Sequence, residues 1–304
     1  MSMLEQHIMV DALMVGKRID QALGEYLTDF SRNQHQAWLL SGEILLDGSM
    51  VKPKQKLKIG QLIEIKARIS IQTEAKAQDL PLDIVYEDDS MLIINKPAGL
   101  VVHPGAGNSE YTLMNALLHH HPQANTLPRA GIVHRLDKDT TGLMVVSKTI
   151  TSYHALVDAM QRRDIQREYE AIVDGHFISG GTVDAPIGRH PTQRTHMAVR
   201  ETGKGKPAVT HYRILQQFTT HTHLRLILET GRTHQIRVHM AYLKHPIVGD
   251  PIYNRKPTLL IKRQALHAKK LALNHPLTQE RLSFETSLPH DMNDLLDHLT
   301  RTHD

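Results

Sequence analysis

The chain has 304 residues, 40% hydrophobic but only 4% aromatic, so its core must lean on Leu, Ile, Val, Met and Ala. It contains no cysteine, which excludes disulfides, thiolate nucleophiles, iron–sulfur clusters and Cys-based zinc sites. Lys plus Arg number 36 against 32 Asp plus Glu, a formal charge of +4 that suits a polyanionic partner without singling one out. No apolar run is long enough for a transmembrane helix, and the N-terminus lacks the order of a secretory signal. A cytoplasmic protein with no membrane contact is expected.

From Gly16 to Lys66 the pattern is that of a compact α/β unit. Ile19, Leu23 and Leu27 recur at helical spacing, and Ser31 is an N-cap for a second helix carrying Ala37, Leu39 and Leu40. A short strand Ile44–Leu46 and an Asp47-Gly48 turn follow. Lys52, Lys54, Lys56 and Lys58 alternate by two. If Val51 to Ile59 is extended, they share one face with Arg18 and Arg32 nearby, a candidate phosphate-facing surface; the plainer reading is a solvated strand edge. Arg68 to Asp79 is polar and aperiodic, so a linker is expected at about 68–80, between a domain at 1–75 and one at 81–304.

Beyond it, Ile84–Tyr86 and Met91–Ile94 read as paired strands. Helices are expected at Thr112–His120 and Ser152–Arg162, and strands at Leu143–Val146, Tyr169–Val173, Val209–Ile214 and Leu224–Leu228. Helices interrupt the strands without a regular βαβ beat, which predicts an α+β domain with a mainly antiparallel, twisted sheet. Gly105-x-Gly107 lacks the rest of a phosphate loop. His119, His120 and His121 point in different directions on a helix and cannot share one metal ion.

Three strings carry the chemistry. Gly131 to Leu143 (GIVHRLDKDTTGL) runs through a charged turn around Asp137 into an apolar strand. Arg167 to Gly175 (REYEAIVDG) sets Tyr169 on the same strand face as Ala171 and Val173. Leu228 to Met240 (LETGRTHQIRVHM) leads into a helix whose Ile236, Met240 and Leu243 stripe leaves Arg237 beside a buried seam, where a guanidinium needs a carboxylate. A carboxylate flanked by Arg and Lys on a loop is, in an arbitrary sequence, more often a structural ion pair.

Together these strings resemble the RluA family of pseudouridine synthases, with Thr141 where the family usually has Ser. Asn95-Lys96-Pro97 and Gly249-Asp250-Pro251-x-Tyr253 match the same family. The Arg18-x-Asp20, Ser31-Arg32, Gly42 to Lys52 and Leu57 to Gln61 pattern resembles an S4 RNA-binding domain. The resemblance implies a pseudouridine synthase catalytic domain and a small N-terminal S4-like domain. It implies Asp137 as nucleophile, Arg237 as its partner and Tyr169 as a base or the group orienting one. It also implies RNA contacts from His134, Arg135 and Arg232, with Arg135 filling the stack that a flipped uridine vacates, and from Arg18, Arg32, Lys52 and Lys54. VVHPGAGN, RAGIVHRLDKDTTGLMVVSKT and RHPTQRTHMAV are similar to family members acting on large-subunit (23S) ribosomal RNA, which points to the helix 69 stem-loop in free RNA or in a 50S particle. The isomerisation needs no cofactor or metal, and a monomer is expected. The alternatives are the same chemistry on transfer RNA and a non-catalytic S4-type assembly factor. A retaining glycosidase would want a second carboxylate about 5 Å from the nucleophile, for which no match is evident.

Overall fold

The computed structural model describes residues 2–27, 30, 32–69, 75–105, 108–193, 196–201, 203–254, 256, 258 and 260–302. The chain divides into two compact units, Met1–Gln72 and Thr73–Asp304.

In the first unit, β1 (Ser2–Met9), α1 (Ile19–Tyr26), α2 (Arg32–Ser41), β2 (Ile44–Leu46) and β3 (Leu62–Ile69) form two helices and a three-stranded sheet in the order β1-β3-β2. Ile19 and Leu23 of α1, Trp38 and Leu39 of α2, and Ile44, Ile63 and Ile65 of the sheet are buried together. Of the apolar residues on α2, Leu39 is buried while Leu40 is 65% exposed. The expected N-cap Ser31 lies outside the described residues. Strand β1 lies within the expected domain but before the Gly16–Lys66 stretch whose elements were read from sequence. It pairs antiparallel with β3 from Met9↔Leu62 to Ser2↔Ile69.

The segment 51–60 is not an extended strand, so the four lysines are not held on one strand face. Gln55 N–H bonds back to Lys52 O, and the chain hydrogen-bonds instead to residues 16–20 through Leu57 and Gln55. Pro53 cannot donate to a ladder, and the turns break the two-residue period. Lys52 and Lys54 remain exposed. Arg18 and Arg32 converge on Asp20, which is fully buried; Arg18 grips both its oxygens at 3.0 and 2.8 Å and Arg32 bonds Oδ2 at 2.9 Å. Both guanidinium groups, expected to face phosphate, are therefore partly committed to satisfying an internal carboxylate.

The second unit contains β4 (Ile84–Glu87), β5 (Met91–Lys96), α3 (Leu113–His120), β6 (Thr141–Ser147), α4 (Ile150–Arg162), β7 (Gln166–Asp174), β8 (Gly181–Asp184), β9 (Ile187–Arg189), β10 (Met197–Val199), β11 (Val209–Gln217), β12 (His221–Leu228), α5 (Gln235–Tyr242), β13 (Leu266–Asn274), β14 (Arg281–Glu285) and α6 (His290–Arg301). Nine strands form one sheet in the order β4-β5-β6-β13-β7-β12-β11-β8, with β14 on β13; β9 and β10 pair separately. The sheet is mixed. All its pairs are antiparallel except β6/β13, which run parallel, because β13 enters the middle of the sheet after a long excursion rather than through a hairpin.

Alternation explains the apolar runs. Leu92, Ile94, Met144 and Val146 face a core shared with α3 and α6, while Met91, Ile93, Leu143 and Val145 face Leu156 of α4. Both sheet faces are covered, so these strands read as continuous hydrophobic stretches. Thr112 and Thr149 cap α3 and α4 through capping boxes with Asn115 and Ser152. Residues 76–78 are tied to this unit, since Asn115 Nδ2 donates to Lys76 O and Gln78 N–H to Asn115 O. No helix among the described residues is long and apolar enough to cross a membrane.

Candidate active site

The loop before β6 is fixed at four successive residues. Arg237 Nη1 donates to Asp137 Oδ2 at 2.9 Å, and Lys96 Nζ to Lys138 O at 2.8 Å. Arg263 Nη1 donates to Asp139 O at 3.1 Å, and Gln264 Nε2 to Thr140 Oγ1 at 3.0 Å. Lys96 is almost fully buried and also bonds Pro97 O and Leu100 O. Burial pushes its pKa down to about 8, against the pull of Asp139 and Asp137. The loop is thus pinned by groups from β5, α5 and the approach to β13, which leaves Asp137 little freedom to reorient.

Arg237 is 3% exposed and bonds two carboxylates. Asp250 takes its Nε at 2.7 Å and its Nη2 at 2.9 Å, while Nη1 goes to Asp137. Burial opposes the guanidinium charge, yet Asp250 and Asp137 together hold its pKa above the ordinary arginine value. Its Cζ also lies 5.2 Å from the centre of the Tyr253 ring. The fork geometry of Asp250 orients the guanidinium, so that the remaining N–H is aimed at Asp137. Asp250 shares Arg237 with Asp137, but it is sealed and consumed by that arginine, so it offers no free carboxylic acid of the kind a glycosidase needs.

The TGRTHQ turn is built by Gln235. Its Oε1 accepts from Thr230 Oγ1 and Arg232 N–H, and its Nε2 donates to Val209 O. His234 then enters α5 in the left-handed region, φ 58°. Its Nε2 stands 3.8 Å from Asp137 Oδ1, and its Nδ1 is 2.9 Å from Tyr253 Oη, which also accepts Met197 N–H.

Asp137, Tyr169, Arg237, Arg135, His134 and Arg232 all line one cavity of about 610 Å³. Asp137 is 17% exposed, so it is reachable but largely desolvated. Tyr169 is 6% exposed; burial raises its phenol pKa, which keeps the hydroxyl protonated at neutral pH and makes it a poor base. Arg135 is exposed at the cavity, and Arg232 is half-buried with Nε on Pro207 O. His134, expected to touch RNA, spends Nε2 on the N–H of Val145 in β6. Burial, aided by Arg167, pushes its pKa down to about 3. Arg18, Arg32, Lys52 and Lys54 belong to the other unit. Sequence reasoning quoted the blocks holding Lys96, Asp250, Tyr253 and His234 without assigning them work. Asp250 had one available signal, the need of a buried arginine for balancing charge. The histidine run is dispersed: His119 lies near Asp79, His120 near Glu87 and His121 at Lys148 O.

Residues 90–242 match the family model described as RNA pseudouridylate synthase. The ribosomal large subunit pseudouridine synthase D of Escherichia coli K12 is 53% identical over 297 residues, covering 93% of this chain and 90% of that protein. The chain belongs to the RNA pseudouridylate synthase family. It is an isomerase acting on RNA uridines. The namesake synthase D of Yersinia pestis is 51% identical over 94% of this chain and 91% of its own length. Among solved structures, human RNA pseudouridylate synthase domain containing 4 superposes with a TM-score of 0.57 at 28% identity, over 71% of this chain and 92% of that one. Human RNA pseudouridylate synthase domain containing 1 gives 0.55 at 25% identity, over 78% and 99%. The matched stretch carries Asp137, Tyr169 and Arg237 of the synthase, while Asp250 lies beyond its end.

Proposed function

We propose that the synthase isomerises uridines of large-subunit (23S) ribosomal RNA, in the helix 69 stem-loop, with Asp137 as nucleophile. The observation that carries this reading is the Asp250–Arg237–Asp137 relay at the floor of an arginine-lined cavity. The names of the curated relatives supply the RNA class. The target base is everted into the cavity at a cost of a few kcal/mol of unstacking, and Arg135 fills its place in the stack. The N1–C1′ bond breaks, the uracil turns, and C5 bonds to C1′; C5 loses a proton and N1 gains one. Both conceivable openings, attack of Asp137 on C1′ and expulsion of uracil through a glycal, begin at the same carboxylate. A neutral Tyr169 orients the base or the group that takes the C5 proton. Arg232 contacts the RNA backbone, while His134 acts indirectly by holding the strand that follows the nucleophile. We assign residues 1–75 the role of an S4-like RNA grip, in which Lys52, Lys54 and the outward N–H groups of Arg18 and Arg32 meet phosphate. The synthase acts as a cytoplasmic monomer on 23S RNA or a 50S precursor, and the isomerisation calls for no cofactor.

Pseudouridine mapping of ribosomal and transfer RNA from cells lacking the protein tests this. Wild type should restore the missing ribosomal sites, and Asp137→Asn should restore none while binding RNA within a few fold, since phosphate contacts carry most of the affinity. Sites lost only from transfer RNA overturn the substrate, activity in Asp137→Asn overturns the nucleophile, and an unchanged map favours a non-catalytic role.

A further inference from the structure

Among the described residues of the larger unit, three arginines are less than a tenth exposed: Arg167 at 7%, Arg237 at 3% and Arg263 at 6%. Arg237 has Asp137 and Asp250, and Arg263 has Asp291 at 2.6 and 2.7 Å. Arg167 has no ion-pair partner among the described residues, and its Nε is sealed from solvent without an acceptor. An uncompensated buried cation is costly, and natural sequences seldom leave one without a counter-charge. Its position says where that counter-charge comes from. Arg167 is the second residue of β7, two before Tyr169 and on the same strand face, and lines the same cavity. Its guanidinium lies against the Thr230–Arg232 turn so closely that a Cβ on Gly231 would stand 2.7 Å from Nη1. The fork therefore packs against this turn. Arg163, which lines the same cavity, is by contrast exposed and already paired with Glu229 at 2.7 Å.

We infer that Arg167 is a preformed receptor for a phosphodiester flanking the target uridine. The inference rests on RNA being the substrate. A guanidinium fork matches a phosphate with two parallel N–H···O bonds. The other candidate anion is the uracil ring, which gathers charge as N1–C1′ breaks. Tyr169 lies further along β7, towards its buried Ala171 and Val173, while Arg167 adjoins exposed Gln166 at the strand's outer end. That order favours the backbone phosphate over the base. The charge is thus stored against the stability of the free protein and is compensated only when RNA docks.

The test compares wild type and Arg167→Met on a stem-loop carrying either all phosphodiesters or one neutral methylphosphonate beside the target uridine. Arg167→Met should bind about tenfold more weakly. Its log affinity against log salt should be shallower by about 0.7, the loss of one phosphate contact. One flanking methylphosphonate should weaken wild type by a similar factor and weaken Arg167→Met no further. The free variant should melt no lower than wild type, since a buried unpaired charge has been removed. A lower melting point, an unchanged salt slope, or losses that add at every linkage overturns the proposal. So does a fall in kcat alone, which would assign Arg167 to the base. If Arg167→Met does not fold, Gly231→Ala, which displaces the fork but keeps its charge, should show the same insensitivity to one linkage; full sensitivity overturns the idea. Wild-type turnover of the unmodified stem-loop is read in parallel. Its absence would count against the synthase reading while the binding cycle still decides the phosphate contact.

Discussion

Arg237 sits between two carboxylates of unequal status. Asp250 is fully sealed, binds the guanidinium through two nitrogens, and also accepts the N–H groups of Ile252 and Tyr253; Asp137 takes one nitrogen and faces the cavity. Breaking a buried ion pair leaves a charge uncompensated and costs roughly 3–5 kcal/mol. Asp250→Asn should therefore destabilise the larger unit by about that much, and Asp137→Asn by clearly less, because Arg237 then keeps its two-nitrogen bond to Asp250. Both should abolish turnover, the first by misaiming Arg237 and the second by removing the carboxylate we propose as nucleophile. Urea unfolding of the two variants checks this ordering; equal stability losses would mean that Asp250 does not anchor the arginine.

At the scale of elements, the parallel pairing of β6 with β13 decides where Asp137 stands. His267 and Ala268 register against Thr141 and Gly142. Gly142 has φ +113°, and a Cβ there would overlap the Ala268 carbonyl oxygen. The two backbones approach so closely that no side chain fits, which explains the glycine that ends the DKDTTG turn. Gly142→Ala should cost about 2–5 kcal/mol from overlap plus backbone strain, and should reduce turnover by shifting the Asp137 loop. Gly24 in α1 has open space around it, so Gly24→Ala should instead stabilise the small unit by about 0.5–1 kcal/mol. Thermal melts of the two variants should move in opposite directions; a tolerated Gly142→Ala would show that the strands can separate without loss.

The whole molecule buries many histidines in neutral form. Burial is the main cause in each case, and it pushes His103 to about 4, His134 to about 3 and His267 to about 4, from an ordinary 6.5. Between pH 6.5 and about 4 the unfolded chain therefore holds more protons than the native one, so stability is full above 6.5 and falls as pH falls. Each histidine adds a slope of about 1.4 kcal/mol per pH unit within that window. The carboxylates held low, Asp20, Glu87, Asp88, Glu170 and Asp174, lose their contributions only as pH drops through about 4. Urea midpoints at pH 7.5, 6 and 5 isolate the histidines, and a flat profile there would contradict their buried neutral state.

Local rules were sufficient for β2, β5, β6, β7 and α3, because caps, two-residue alternation and helical stripes act over a few neighbouring residues. Asp137, Tyr169 and Arg237 were marked by the family resemblance rather than by local rules, each in an uninterrupted string of family residues, and the fold brings all three to one cavity. The local rules failed where partners are distant. The lysine alternation at 52–58 suggested a strand, but hydrogen bonds to residues 16–20 and the turns around Pro53 win the segment. Arg18 and Arg32 looked free for phosphate until Asp20 was found between them. That Asp250 meets Arg237, that Lys96 reaches the Lys138 carbonyl, and that Arg167 meets no carboxylate among the described residues follow from strand order and from β13 entering between β6 and β7. Composition and spacing determine which residues can do chemistry. Which buried charge is balanced, and which waits for a ligand, is decided by pairing across the fold.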